Sequence, residues 1–483
     1  MHHRTATLKR TCIVIACIAL FILLVAAWLG FFRSDDFFEL QTAKFDTVND
    51  PIKVFTKVDG DRHYRPTSKL FFWIHLLVFG LKPLGYFVTI ILIFFLNLYL
   101  FYLLARHILG DLLGAYSAIL LFLLQGNTYL YTVNWIAGIN TVLSGVFIIA
   151  TLFFYIKSAD ATHKAVLFYI LSLVFFVLGL LSREITVIVI PTVLAYDVLL
   201  LRSGTPRKLA AVAKRLPVYM SFFILFVIYV LMRNSAGARS LLGEGGYIFS
   251  LNNLADGIVF FALQLGFLPA GVLLLAIPAL LINKPPKWTL KLIAWGLFLA
   301  LVATLPVLSL HWTSPTWLYI PAFGIAFAAA ALFKQVLSIN SKRATLLFYG
   351  VLVWAIIGNS LLFIKLSSSR WWQWGGYIRN VIEGVTTRYP DLPRGATLYF
   401  IDKTEQNSFC SMGGLFKGQH NVDAAFRVWY DAPSLQTRTV TDEASLIDAA
   451  IESGAGEAPP IFVFVYDEGS ITDKTEWFQA LRE

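Results

Sequence analysis

The sequence is short of charge, short of cysteine and, through most of its length, short of carboxylates. Only 14% of its 483 residues are Asp, Glu, Lys or Arg, 58% are hydrophobic, and the mean hydropathy is +0.70. Those values exclude a water-soluble domain of this size. There are three cysteines, and Cys12 and Cys17 fall in the first apolar run. At most Cys410 lies outside the membrane, so an internal disulfide framework is excluded. The apolar runs do not alternate with polar residues, which excludes a closed β-barrel. No Asp or Glu falls near the middle of any run, where proton and ion pathways usually need one, and this argues against a proton-coupled transporter. No period-length repeat and no low-complexity tract occurs.

What is present is a series of apolar runs close to twenty residues long. Each is long enough to cross about 30 Å of hydrocarbon as a helix. The expected spans are 11–32, 84–105, 112–130, 136–156, 165–181, 186–201, 216–232, 257–282, 292–310, 316–333 and 344–366. The fold class this predicts is an all-α polytopic membrane bundle of about eleven helices with a small C-terminal extracytoplasmic α/β domain. The first run follows Arg4, Lys9 and Arg10 like a signal peptide, but no small-residue cleavage site precedes Arg33, so it reads as a retained helix.

Lys and Arg divide unevenly between the loops. With the N-terminus in the cytoplasm, the inner segments collect residues such as Arg106, Lys157, Arg215, Lys284 and Lys334, whereas the short outer loops after the first hold only Arg183, Arg233 and Arg239. That bias obeys the positive-inside rule and sets the orientation. Residues 67–80, TSKLFFWIHLLVFG, are only fourteen long. They are expected to lie along the outer interface, with a tilted re-entrant half-span as the alternative.

The net charge of +10 does not point to nucleic acid, because the bases flank apolar spans and form no stripe. Residues 1–366, the transmembrane domain, hold 29 Lys and Arg against 13 acids, while residues 367–483 hold 10 against 16. The tail is therefore a separate, acidic, water-facing unit. RWWQWGGYIRNVIEGVTTRYP reads as a helix, and ATLYFID and IFVFVYD read as buried strands.

Seven of the 13 acids in the membrane half fall in one outer loop, 33–66, where RSDDFFEL follows the first helix directly. Asp35 and Asp36 are thereby fixed within a turn of the bilayer surface, where a carboxylate reaches both a lipid headgroup and an aqueous acceptor and can act as general base. A solvated acidic helix end is the plainer reading of an isolated pair. Arg65 and Arg183 belong to the same face, and guanidinium forks suit an interfacial phosphate, although each alone also fits a snorkelling Arg. Glu184 either pairs with Arg183 or holds a second Arg.

These segments together resemble the membrane-embedded glycosyltransferases of the C superfamily, and most nearly the branch of tetratricopeptide-bearing O-mannosyltransferases and their bacterial relatives. YRPTSKLFFWIHLLVFGLKPLGYFVTIILIFFLN matches the branch's YRP motif, interfacial segment and Asn-bearing helix. SREITVIVIPTVLAYD matches its Lys-Glu helix, with Arg183 in the Lys place. TWLYIPAFGIAF is similar to an Arg-Tyr-Leu-Tyr segment, with Thr316 in the Arg place, which puts a phosphate contact from that loop in doubt. The likeness runs from Phe31 to Phe333, and no tetratricopeptide array follows.

The resemblance implies an inverting transfer of a hexosyl or pentosyl unit from a polyprenyl-phosphate (undecaprenyl-phosphate in bacteria) donor to an acceptor hydroxyl. The acceptor is a glycan, a lipid or a protein. The site would lie on the extracytoplasmic face, of a bacterial inner membrane. Asp35 or Asp36 would be the base, Arg65, Tyr64 and Arg183 would bind the donor phosphate, and Glu184 and His63 would support the cavity. Asn134, Trp135, His311 and Trp312 are candidate sugar or acceptor contacts, or else aromatic-belt anchors. Arg233, Arg239 and GEGGY are expected to form a mobile loop over the cavity mouth. No cofactor is required; a divalent metal stays open, but no ligand spacing supports one. A polysaccharide polymerase or ligase, or a lipid-linked glycan transporter, is the alternative. Polymerases would concentrate Arg and His in a late loop, and transporters would show paired broken helices.

Overall fold

The computed structural model describes residues 2–47, 51–58, 63–161, 163–200, 215–238, 250–265, 285–308, 314–338, 371–405, 408, 410–452 and 460–482, with positions 346, 350, 353, 357 and 358. Among these residues seven helices are long and apolar enough to cross a bilayer, or eight if one bent pair is a single span. The protein is an integral membrane helix bundle with a small C-terminal sheet. The expected spans at 257–282 and 344–366 lie largely outside the described residues; of the first, α12 (Leu251–Leu265) is seen.

Local chemistry sets the helix ends. Helix α1 (His2–Leu29) leads to a short α2 (Asp35–Gln41), α3 (Lys53–Thr56) and α4 (Pro66–Phe79). Helix α4, fourteen residues long, buries Phe71, Phe72 and His75 and exposes Ile74, Leu77 and Val78. That is too short to span and shaped to lie in an interface. Pro83 opens α5 (Pro83–Leu109), and left-handed Gly110 closes it (φ 82°). Asp111 then caps α6 (Leu112–Leu123), accepting from the Gly114 N–H at 2.8 Å.

The expected single span 112–130 is in fact two helices, α6 and α7 (Gly126–Val133), bent by 65°. The break is at Gln125, whose amide donates to Leu121 O at 3.1 Å and across to Ala322 O at 3.2 Å, a polar insertion that interrupts the helical ladder. A second departure is at 186–201: Glu184–Ile188 is a tight 3-10 turn before α10 (Val189–Leu199). Pro191 can donate no N–H there.

Helix α8 (Ile139–Asp160), entered by a 3-10 turn at Ile136–Gly138, and α14 (Tyr319–Ser338) are central. Their spans have 83% and 94% of the apolar window buried, against 28% for α1 and for α9 (Ala165–Ser182) and 17% for α11 (Leu216–Ser235), which face lipid. Asn97 ties α5 to α8 by donating to Val142 O at 2.9 Å. Helix α13 (Lys287–Leu308) crosses α14 at Gly296 and Gly324, where an added Cβ on Gly324 would lie 2.5 Å from the Gly296 carbonyl oxygen. Small residues permit that approach.

At one end of the bundle ionic contacts tie helix termini together: Lys334 to Asp111 at 3.0 Å, His107 to Asp160 at 2.9 Å, and Arg215 to Asp197 at 2.8 Å. At the other end sits the C-terminal unit. Helix α15 (Trp371–Thr386) precedes a four-stranded sheet of order β2-β1-β3-β4. Strands β1 (Thr397–Asp402), β2 (Gln436–Val440) and β3 (Ile461–Asp467) are parallel, and β4 (Ser470–Asp473) is an antiparallel edge. Between β1 and β2 run α16 (Met412–Phe416) and α17 (Gln419–Tyr430).

Candidate active site

After Leu29 the chain leaves the bilayer through a tight turn at 33–36. The Asp36 N–H donates to Arg33 O at 3.1 Å, and the Arg33 N–H returns a bond to Asp36 Oδ2 at 3.0 Å. Ser34 takes the first inner corner with φ 52° and ψ −128°, a position glycine usually holds, so the turn stores backbone strain. Asp36 Oδ1 accepts from the Ala137 N–H at 2.7 Å, at the entrance to α8. The carboxyl is wholly buried. Burial pushes its pKa up to about 7, against the Arg33 N–H, the Arg33 charge and the Ala137 N–H. Asp35 is half-buried and accepts the Ser34 hydroxyl at 3.3 Å.

Arg33, to which the sequence reading gave no role, is buried beside the pair. Its guanidinium donates to Asn134 O at 2.5 Å and lies 5.8 Å from the Trp374 ring centroid. No pattern in the sequence marks it, because an Arg at a helix exit ordinarily snorkels to water.

A second group of side chains is cationic. Arg65, at the N-cap of α4, pairs with Glu184 at 3.3 Å. Arg183 donates to the Thr141 hydroxyl of α8. Arg233, in the last turn of α11, is buried. That corrects one expectation: Arg233 sits on a helix and not on a mobile loop, because Tyr229, one turn earlier, packs on Tyr64 with ring centroids 5.9 Å apart. Arg239 and GEGGY lie outside the described residues. Burial of Glu184 works against its charge, yet the Arg65 and Arg183 guanidinium groups hold it well below the usual carboxylate range. The same Arg65, with burial second, drives the His63 pKa down to about 3, so His63 is neutral although part of it reaches solvent. His63 therefore keeps company with the arginines, which repel a metal cation. Among the described residues no three His, Cys, Asp or Glu side chains cluster as ligands.

Helix α8 connects the two groups. Ala137 holds Asp36 and Thr141 holds Arg183, and four residues separate them, about one helical turn or 5 to 6 Å along the axis. The carboxylate and the guanidinium cluster are thus registered on one rigid element. Of the remaining candidates, Tyr64 is buried with its hydroxyl given to Phe55 O at 2.9 Å. Asn134 is buried, and its side-chain N–H group has no partner among the described residues. Trp135 carries the Lys417 ammonium 4.8 Å from its ring centroid, and its buried indole N–H has no partner among the described residues. Thr316 is buried and bonds within its own turn to Ser314 at 3.0 Å. His311 and Trp312 lie outside the described residues.

The C-terminal unit closes over the turn. Trp429 of α17 meets Phe31, Phe32 and Phe37 with ring centroids 5.7, 6.0 and 6.1 Å away, and Phe416 meets Phe37 at 5.5 Å. Lys44 donates to Val428 O at 2.8 Å and pairs with Asp431 at 3.2 Å. Gly375 lets α15 approach this exit: a Cβ there would lie 3.0 Å from the Phe31 nitrogen.

A polytopic bundle with a strained, buried carboxylate turn beside an arginine cluster, capped by a small sheet, defines a fold already known. The structure resembles ArnT from Cupriavidus metallidurans in the apo state with a TM-score of 0.56, at 13% identity over 98% of this chain and 94% of ArnT. Against ArnT from the same organism bound to undecaprenyl phosphate the TM-score is 0.51, at 13% identity over 97% of this chain and 94% of ArnT. The chain therefore has the fold of ArnT over nearly its whole length. No protein-family model matches the sequence, and no curated protein matches it either.

Proposed function

We propose that the protein is an inverting glycosyltransferase that moves a sugar from a polyprenyl-phosphate donor to an acceptor hydroxyl on the extracytoplasmic side of the membrane. The observation that carries this reading is that Asp36 and Arg183 are bonded to positions four residues apart at the start of α8, Asp36 to the Ala137 N–H of the entering 3-10 turn and Arg183 to the Thr141 hydroxyl, with Arg65 and Arg233 completing the cationic group. The ArnT structure with undecaprenyl phosphate adds support, because a protein of the same fold over nearly its whole length binds a lipid phosphate.

In this mechanism the charged form of Asp36 takes the proton from the acceptor hydroxyl. The oxygen attacks the anomeric carbon as the bond from that carbon to the donor phosphate breaks on the opposite face. The electron pair leaves on the polyprenyl phosphate, where Arg65, Arg183 and Arg233 offset the new charge. One displacement inverts the anomeric centre, and no activated water or metal is needed. A pKa near 7 suits the base, since it combines a useful charged fraction at neutral pH with real proton affinity. Neutral His63 can donate to a phosphate oxygen without adding charge. The half-buried Asp35 is the alternative base.

The test supplies purified protein with labelled polyprenyl-phosphate hexoses and pentoses and follows donor consumption and the anomer formed. Asp36→Asn is expected to abolish transfer while leaving the protein in the membrane, with Asp35→Asn less damaging. Full activity in both single variants and the double variant would eliminate the proposed base. Transport of a lipid-linked glycan without donor cleavage would eliminate the transferase reading.

A further inference from the structure

We infer that Trp429 is a positioning residue for Asp36, so that the C-terminal sheet unit forms part of the catalytic apparatus; the inference builds on the transferase reading above. Phe32 immediately precedes the 33–36 turn and Phe37 immediately follows it, and both are fully buried. The Trp429 indole contacts both rings, and Phe31 as well, so one side chain of the C-terminal unit spans the two ends of the segment that carries the carboxylate. Phe416 adds a contact from α16 on the Phe37 side.

The indole is itself held in place. Helix α17 ends one residue beyond it, at Tyr430, where left-handed Asp431 (φ 52°) terminates the helix. Lys44 of the first loop grips that terminus through Val428 O and the Asp431 carboxylate, the end of a helix that favours a cation. The loop thus clamps the helix that clamps the loop.

A turn with a left-handed serine relaxes unless its surroundings over-determine it. Two backbone N–H bonds fix the Asp36 oxygens, but nothing in those bonds keeps water out; the aromatic cluster does that. The groups that face the Asp36 carboxyl are Arg33 and Asp35 of its own segment, the Ala137 N–H at the entrance to α8, and Tyr86 of α5. The C-terminal unit contributes aromatic rings against this segment, Arg379 of α15, which donates to Gly30 O at 3.3 Å and lies 5.2 Å from the Phe31 ring centroid, and, further out over Trp135, Lys417. Removal of the indole is expected to admit water, weaken the burial that raises the Asp36 pKa, and loosen the carboxylate relative to the arginine cluster.

The experiment compares full-length wild type, Trp429→Ala, Trp429→Phe and Asp36→Asn. It measures kcat, donor KM and the pH profile, and titrates the buried carboxylic acid by infrared difference spectroscopy, with the band assigned by its loss in Asp36→Asn. Trp429→Ala is expected to lower kcat about tenfold or more, as misplacement by a fraction of an ångström does, with donor KM changed less than about twofold. The Asp36 titration and the acid limb of the profile should both move at least about one pH unit lower, and Trp429→Phe should restore most of both. An Asp36 titration unchanged in Trp429→Ala, or in Trp429→Leu should the alanine variant not fold, would overturn the inference, as would a loss confined to donor KM. If wild type turned over no sugar donor, the transferase reading would fail, while the infrared titration would still decide whether Trp429 controls Asp36.

Discussion

Asp36 is buried with each oxygen bonded to a backbone N–H, and the balance of burial against those bonds gives it a pKa of about 7. In the proposed mechanism the charged form is the base, so kcat/KM is expected to rise with pH through about 7 and to level off above it, as a pH profile of single-turnover transfer would show. Stability should move the other way. A carboxyl whose folded pKa is raised costs stability once it must ionise, and that cost grows from the ordinary carboxylate range up to about pH 7. Thermal unfolding in detergent should therefore show wild type losing stability over this window relative to Asp36→Asn. Arg65 belongs to the donor side. Arg65→Ala removes a charge-assisted contact worth about 1.5–3 kcal/mol, so donor KM should rise roughly ten- to a hundredfold while the acid limb stays in place. An unchanged donor KM would remove Arg65 from phosphate binding. Part of the candidate site was legible in the sequence: RSDDFFEL, the YRP motif and SREIT pointed to Asp35 or Asp36, Arg65, Arg183 and Glu184, without separating the two aspartates. Arg33 and Thr141 were not legible, because their roles depend on which distant backbone or hydroxyl they meet.

At the scale of elements, α8 matters most, because the 3-10 turn that enters it holds the carboxylate and its own first turn holds an arginine. Its central place depends on close helix crossings, and the α13–α14 crossing at Gly296 and Gly324 shows how little room they leave. A side chain at Gly324 would meet the Gly296 carbonyl oxygen and the Ala300 nitrogen at 2.5 and 2.6 Å, and backbone cannot swing aside. Gly324→Val is accordingly expected to cost about 1–3 kcal/mol, read as a lower thermal midpoint in detergent, whereas at Gly376, where an added Cβ meets nothing within 4 Å among the described residues, Gly376→Ala should not lower the midpoint. The bend at Gln125 shows the limit of reading elements from hydropathy. An apolar run of the right length looks like one helix, and only the Gln125 amide bonded across to Ala322 O interrupts it. Strands β1 and β3 were readable as apolar runs, but β2, QTRTV, is polar because it lies at the sheet edge.

For the whole molecule, the ends of the bundle differ in chemistry. One carries the ion pairs of Lys334, His107 and Arg215, and the other carries Asp36, the arginine cluster and the sheet unit. From the positive-inside rule we propose that the second end faces away from the cytoplasm. A tag following Glu483 should then react with an impermeant reagent added outside intact cells, and a tag before Met1 should not; the reverse labelling would invert the proposed orientation.

Composition and pattern alone determined that the chain enters a membrane, which way its loops bias it, and that its carboxylates gather beside the first helix. Those are properties of runs and counts, since bilayer thickness and loop charge act on local sequence. Tertiary structure decided which of two adjacent aspartates is buried, that Arg233 joins Arg65 and Arg183, and that Trp429 reaches back nearly four hundred residues to the helix-1 exit. Those outcomes depend on long-range packing and on the burial that packing produces, and burial is what moves a carboxyl from the ordinary range to one useful at neutral pH.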